Sequence, residues 1–191
     1  MVVLETDRLT LRNFVYSDWE DLHAMIVQYK ASGYADYDQP WPASPEEIKG
    51  VINWFASGDQ FLAVCLKETQ QFIGFVALNP EADEGSRVYN LGYIFKADFH
   101  GKGYASEACR AVLAHAFRTL MAQSLVAGTA AVNLPSCRLL EKLGFQKTDE
   151  SMGSLQNSAN GKPIKFLGRT YTLTREAWEK MREKDHQTIE R

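Results

Sequence analysis

Two consecutive stretches, Val88-Tyr89-Asn90-Leu91-Gly92-Tyr93-Ile94-Phe95 and then Phe99-His100-Gly101-Lys102-Gly103-Tyr104-Ala105-Ser106-Glu107-Ala108, decide the fold. The first is rich in β-branched and aromatic side chains and reads as a strand. From Ala105 onward, Ala108, Cys109, Val112, Leu113, Ala116, Phe117 and Leu120 recur at spacings of three and four, the stripe of a long amphipathic helix. A glycine turn joins the two. Glycines let the backbone approach a ligand closely, and the free N–H groups of a helix start form a positive pole suited to a phosphate. Leu125 to Ala130 reads as the next strand, so residues 88–130 make a β-α-β unit with parallel strands and a right-handed crossover.

Working outward, Phe61 to Leu66 and Phe72 to Leu78 are apolar strands joined through Lys67-Glu68-Thr69-Gln70-Gln71, which places antiparallel strands in the same sheet. Thr6 to Arg12 alternates with the strand period. Ser17-Asp18 begins a helix carrying Trp19, Leu22, Met25 and Ile26, and Ser44-Pro45-Glu46-Glu47 opens a second that runs through Phe55. Beyond the unit, Pro135 lies in the first turn of a short helix with Leu139, Leu140 and Leu143, stopped by Gly144. A strand pair with the polar tip Gln156 to Lys162 follows, and Thr174-Arg175-Glu176-Ala177-Trp178 begins a terminal helix whose charged end, from Glu183, is expected to fray. These elements predict one α/β (α+β) domain over residues 1–191, with a mixed, mostly antiparallel sheet of six to seven strands, one parallel central pair, and four to five helices.

Composition narrows the partners. The net charge is −3 and the basic residues are scattered, which disfavours extended contact with a nucleic-acid backbone. There is no apolar run of about 18 residues and no signal-peptide architecture at Met1-Val2-Val3-Leu4-Glu5, so a cytoplasmic protein with no membrane partner is expected. Cys65, Cys109 and Cys137 and the four histidines are dispersed, indicating neither a disulfide framework nor a metal site. Tyr104 after Gly103 breaks the GxxxxGK[ST] pattern of a P-loop, and Ser106 stands where the dinucleotide fingerprint needs its third glycine. On these residues alone the turn is an anion site or a plain connection.

The chain resembles the GNAT superfamily of N-acetyltransferases, in particular the Rim-type branch that acetylates ribosomal-protein N-termini. The resemblance rests on Gly92 to Phe95 with Phe99 to Ala108, on Leu4-Glu5-Thr6-Asp7-Arg8-Leu9-Thr10-Leu11-Arg12, on Asn133-Leu134-Pro135-Ser136 with Glu141-Lys142-Leu143-Gly144-Phe145, and on Tyr171 to Trp178. It implies acetyl-CoA as cosubstrate, no metal, and direct attack by a primary amine through a tetrahedral intermediate. A peptide or protein N-terminus is the favoured acceptor and a small amine the alternative, in a monomer or homodimer. A catalytically silent acyl-CoA-binding module is the other reading.

Position by position, the resemblance puts the pyrophosphate on His100, Gly101, Lys102, Gly103, Tyr104, Ala105 and Ser106. His100 replaces the usual Arg or Gln. The pantetheine arm would lie between two parallel strands that splay apart, held by main-chain groups of Phe95 and Lys96 and by Asn133. The Phe95 N–H would also stabilise the oxyanion. Relatives often carry a tyrosine acid where this chain has Leu140; Ser136 is the replacement candidate, unless its hydroxyl only caps the helix start. Cys137 has no recognisable histidine partner for a nucleophile's role. No acid lies on the strand before the turn, where Asn90 stands, which leaves Glu81, Asp83 and Glu84 as loop candidates for a base. Tyr34, Tyr37 and Trp41, with Asp36 and Asp38 nearby, would line the acceptor pocket.

Overall fold

The structure is a computed structural model that describes residues 2–81, 85 and 87–189. Its elements follow the chain as β1 (Val3–Glu5), β2 (Leu9–Asn13), α1 (Trp19–Lys30), α2 (Pro45–Ala56), β3 (Phe61–Leu66), β4 (Phe72–Pro80) and β5 (Val88–Phe95). There follow α3 (Tyr104–Arg118), β6 (Ser124–Ala130), α4 (Leu134–Lys142), β7 (Gln146–Gly153), β8 (Phe166–Thr174) and α5 (Arg175–Ile189). The strands form one sheet in the order β1-β2-β3-β4-β5-β6-β8-β7. All neighbours are antiparallel except β5 and β6.

Eight strands exceed the expected six to seven because the N-terminal run is a hairpin. Thr6 N–H donates to the Leu9 carbonyl at 3.0 Å and Leu9 N–H to Thr6 Oγ1 at 2.9 Å, closing a turn that period-2 alternation conceals. α2 begins as its residues dictate: Ser44 and Glu47 form a reciprocal capping box with Pro45 in the first turn. α5 continues to Ile189, past the charged stretch where fraying is expected. Among the described residues no helix is long and apolar enough to cross a membrane.

The sheet carries a core on each face. Leu91, Val112, Leu113, Phe117, Leu125, Leu140 and Tyr171 fill the side covered by α3, α4 and α5. Leu22, Ile26, Ile48, Ile52, Phe55, Phe75 and Ile94 fill the side covered by α1 and α2, where the Phe55 and Phe61 rings stack at 3.8 Å. Each such side chain contributes roughly 1.5–3 kcal/mol by leaving water. The two layers fix β5 between them, with odd-numbered side chains toward α3 and even-numbered ones toward α1 and α2.

Candidate active site

β5 ends in a 3-10 turn, Ala97–Phe99, and the chain then enters the glycine turn. Gly101 and Gly103 have φ of +73° and +83°, the left-handed region that side chains avoid. This conformation and the start of α3 leave the amides of Gly101, Lys102, Gly103, Tyr104, Ala105 and Ser106 without a backbone acceptor among the described residues. Ser106 Oγ is buried and is the one fully enclosed side-chain polar atom with no hydrogen-bond partner among them. Unspent donors around an orphaned hydroxyl at a helix N-terminus are what a bound pyrophosphate would satisfy, so the residues fit that group.

Resemblance gave the N-terminal Thr6-Asp7-Arg8 segment no role; its place in the structure supplies one. Glu107 Oε1 accepts from the Thr6 hydroxyl at 2.6 Å and the Arg8 amide at 2.9 Å, and Oε2 from Arg8 Nε at 2.7 Å. Arg8 Nη1 also donates to the Lys102 carbonyl at 3.1 Å, and the guanidinium lies 4.4 Å over the Tyr104 ring. Burial pushes the Glu107 carboxyl up, but hydrogen bonds from Thr6 and Arg8 prevail and hold it below the usual carboxylate range. The turn is thus tied to the sheet by a hairpin almost a hundred residues away in sequence.

The strands then part. β5 and β6 pair only at Val88–Ser124, Tyr89–Leu125 and Asn90–Val126. On the other side of β5 the ladder is complete, from Pro80–Tyr89 to Gly74–Phe95. Lys96 N–H donates to the Ile73 carbonyl and Glu81 N–H to the Val88 carbonyl, which sets the parity: even-numbered residues of β5 bond β4, and odd-numbered ones turn their main chain toward β6. Beyond Asn90 those odd residues have no strand to meet. The N–H groups of Tyr93 and Phe95 therefore face an open gap. His100 Nε2 sits 2.9 Å from the Phe95 carbonyl, so this histidine braces the strand end. Lys96 is a correction: its amide is spent on β4 and its ammonium pairs with Asp21 at 2.7 Å, so its N–H is not a free main-chain group for the arm.

The first turn of α4 borders the gap. Asn133 is its N-cap, with Oδ1 accepting from the Ser136 amide at 3.2 Å. Ser136 does not cap the helix; its Oγ lies 2.8 Å from the Tyr93 hydroxyl, a partner 43 residues away that local sequence signals do not reveal. Burial pushes the Tyr93 phenol above its ordinary pKa, only partly offset by the bond to Ser136. Cys137 is buried, with Sγ 3.9 Å from both the Ala130 carbonyl and Arg169 Nη1, and Leu140 is a core residue.

Over the paired start of β5 and β6, on the face of the even-numbered β5 side chains, a cleft of about 450 Å³ is lined by Glu81, Val88, Asn90, Val126, Gly128 and Thr170. Asp83 and Glu84 lie outside the described residues. Of the expected acceptor residues, Trp41 is half-buried against the core, its ring 5.9 Å from Phe75 and 6.4 Å from Phe55. Tyr37 meets the Phe166 ring at 5.7 Å, and Tyr34 is half-buried in the same loop. Asp38 is occupied by the Tyr29 hydroxyl at 2.8 Å, and Gln156 Nε2 donates to the Ala35 and Asp38 carbonyls at 2.6 and 2.8 Å. None of Tyr34, Tyr37 and Trp41 is among the residues lining the cleft beside Asn90.

Residues 8–146 match the model of the acetyltransferase (GNAT) domain, most of the chain and all of the glycine-turn machinery. The chain belongs to the GNAT acetyltransferases. It is 27% identical over 147 residues to the uncharacterized N-acetyltransferase YnaD of Bacillus subtilis, covering 75% of this chain and 82% of that one. In fold, this GNAT protein superposes with a TM-score of 0.77 on the ribosomal-protein-S5-alanine acetyltransferase of Vibrio fischeri, at 17% identity over 93% and 99% of the two chains. The spermidine N-acetyltransferase of Vibrio cholerae, solved with CoA and spermine, gives 0.74 at 18% identity over 91% and 99%. The protein is an acetyl-CoA-dependent acetyltransferase with an amine acceptor.

Proposed function

We propose that this acetyltransferase modifies the α-amino group of a peptide or protein N-terminus. The observation that carries the reading is the cleft over the last paired residues of β5 and β6, where β5 presents Asn90 and Val88 and no carboxylate. An α-amino group has a pKa of about 8 against about 10.4 for a lysine, so a useful fraction is already neutral and a strong base is unnecessary. Glu81, the described carboxylate on that lining, takes the surplus proton through water. The Vibrio fischeri structure, named for ribosomal protein S5 alanine, agrees with such an acceptor.

When bound, acetyl-CoA supplies the thioester carbonyl that the amine attacks. The amides from Gly101 to Ser106 and the Ser106 hydroxyl hold the pyrophosphate. Main-chain groups of Tyr93 and Phe95 hold the arm, and the Phe95 N–H stabilises negative charge on the carbonyl oxygen. Asn133, whose side-chain oxygen caps α4, would hold the arm through the nitrogen of its carboxamide. Tyr34 and Tyr37 shape the loop through which the acceptor approaches.

A thiol-release screen of acetyl-CoA against peptide N-termini, N-terminally blocked lysine peptides, polyamines and aminoglycosides tests this. Turnover should be greatest for free peptide N-termini. Turnover confined to polyamines or lysine side chains would overturn the acceptor assignment.

A further inference from the structure

We propose that Tyr93 is the proton source for the leaving thiolate, acting as a positioning residue through Ser136. The proposal rests on the arm of acetyl-CoA occupying the gap between β5 and β6. Three observations meet there. The Tyr93 main chain faces the gap, while its side chain rises on the α3 and α4 face and reaches Ser136 Oγ at 2.8 Å. That bond spans from β5 to the first turn of α4, the interval that no strand pairing closes. One turn further along α4 stands Leu140, buried and apolar, and Cys137 is turned toward the Ala130 carbonyl, so the described part of this helix offers no other hydroxyl to the gap.

A serine hydroxyl alone is a poor acid. A phenol donating to its oxygen changes that, because the negative charge left on Ser136 as its proton departs passes to the more acidic Tyr93. The charges that act most on Tyr93 are those of Cys109 of α3, Cys137 of α4 and Tyr171 of β8, none of them a carboxylate or an ammonium. Burial keeps the phenol protonated up to a pH above its ordinary range, so the relay stays charged with its proton wherever an amine is neutral.

As the nitrogen bonds to the carbonyl carbon, the C–S bond breaks and its electron pair goes to sulfur. Ser136 O–H gives its proton to that sulfur and Tyr93 O–H gives its own to Ser136 Oγ. The proton shed by the attacking nitrogen returns to Tyr93 through solvent. Thioester and amine become amide and thiol with no other reactant.

The test reads the thiol itself, by titrating the thiolate absorbance of CoA bound to the full chain. Wild type should lower the bound thiol's pKa by at least about one unit from the free value of roughly 8.5, because a hydrogen-bond donor favours the thiolate. Tyr93→Phe and Ser136→Ala should each return it toward the free value, with affinity for desulfo-CoA, which lacks the thiol, unchanged within about threefold. With an accepted amine, kcat should fall about 10- to 100-fold in each variant at an unchanged KM for acetyl-CoA, and the double variant should be no worse than the poorer single one. A thiol that is unshifted in wild type, or equally shifted in Tyr93→Phe, overturns the relay and leaves the acetyltransferase reading intact. A wild type that binds desulfo-CoA no better than buffer overturns both.

Discussion

Gly103 holds φ at +83°, with Arg8 Nη2 3.4 Å from where a Cβ would stand. A β-branched residue there is strained in itself, so holding it distorts the turn that presents the unspent amides, and its bulk presses on the Arg8 guanidinium. Gly103→Val should therefore weaken acetyl-CoA binding at least about tenfold in calorimetric titration while the far-ultraviolet dichroism of the fold persists. Wild-type affinity in that variant would remove the turn from the binding site. Such a glycine is visible in sequence because the backbone requirement and the residue type coincide. Tyr93 is the opposite case. In a strand reading Val88 to Phe95 every aromatic serves equally well as core, and only the placement of α4 brings Ser136 to its hydroxyl.

Among elements, the β1–β2 hairpin explains why an N-terminal segment matters to a site built from residues 93–136. An isolated exposed ion pair is worth about 0–1 kcal/mol, but Glu107 takes four contacts from Thr6 and Arg8 and stands at the first turn of α3. Arg8→Met removes the guanidinium from Glu107, from the Lys102 carbonyl and from Tyr104 together. The KM for acetyl-CoA should rise about three- to tenfold with kcat within about twofold, since the turn loses order and the reacting end of the site does not. Equal falls in kcat and kcat/KM would assign Arg8 to the chemistry instead. Alternation from Thr6 to Arg12 masks this hairpin because its turn is closed by a side chain, Thr6 Oγ1 on the Leu9 amide, which periodicity does not register. The capping box of α2 is legible for the converse reason: Ser44, Pro45 and Glu47 are contiguous and act locally.

Across the whole molecule, the glycine turn, the parallel pair and the order of elements were legible, since each depends on neighbours in sequence. The acceptor side was not. Trp41 reads as a loop aromatic open to an acceptor, whereas its half-buried ring packs against Phe55 and Phe75, a contact set by elements distant in sequence. Lys96 reads as a main-chain contact for the arm and is spent on Ile73, because strand parity is set by pairing with β4. Two cores clamp β5 while β6 leaves it after Asn90, and the resulting gap is the central structural claim. Hydrogen exchange of the full chain with and without CoA tests it most directly. Protection should appear in the segments containing Tyr93 to Ser106 and Gly128 to Ser136, with α1 and α2 unchanged. Protection absent from those two segments, or confined to α1, α2 and the loop between them, would contradict the account.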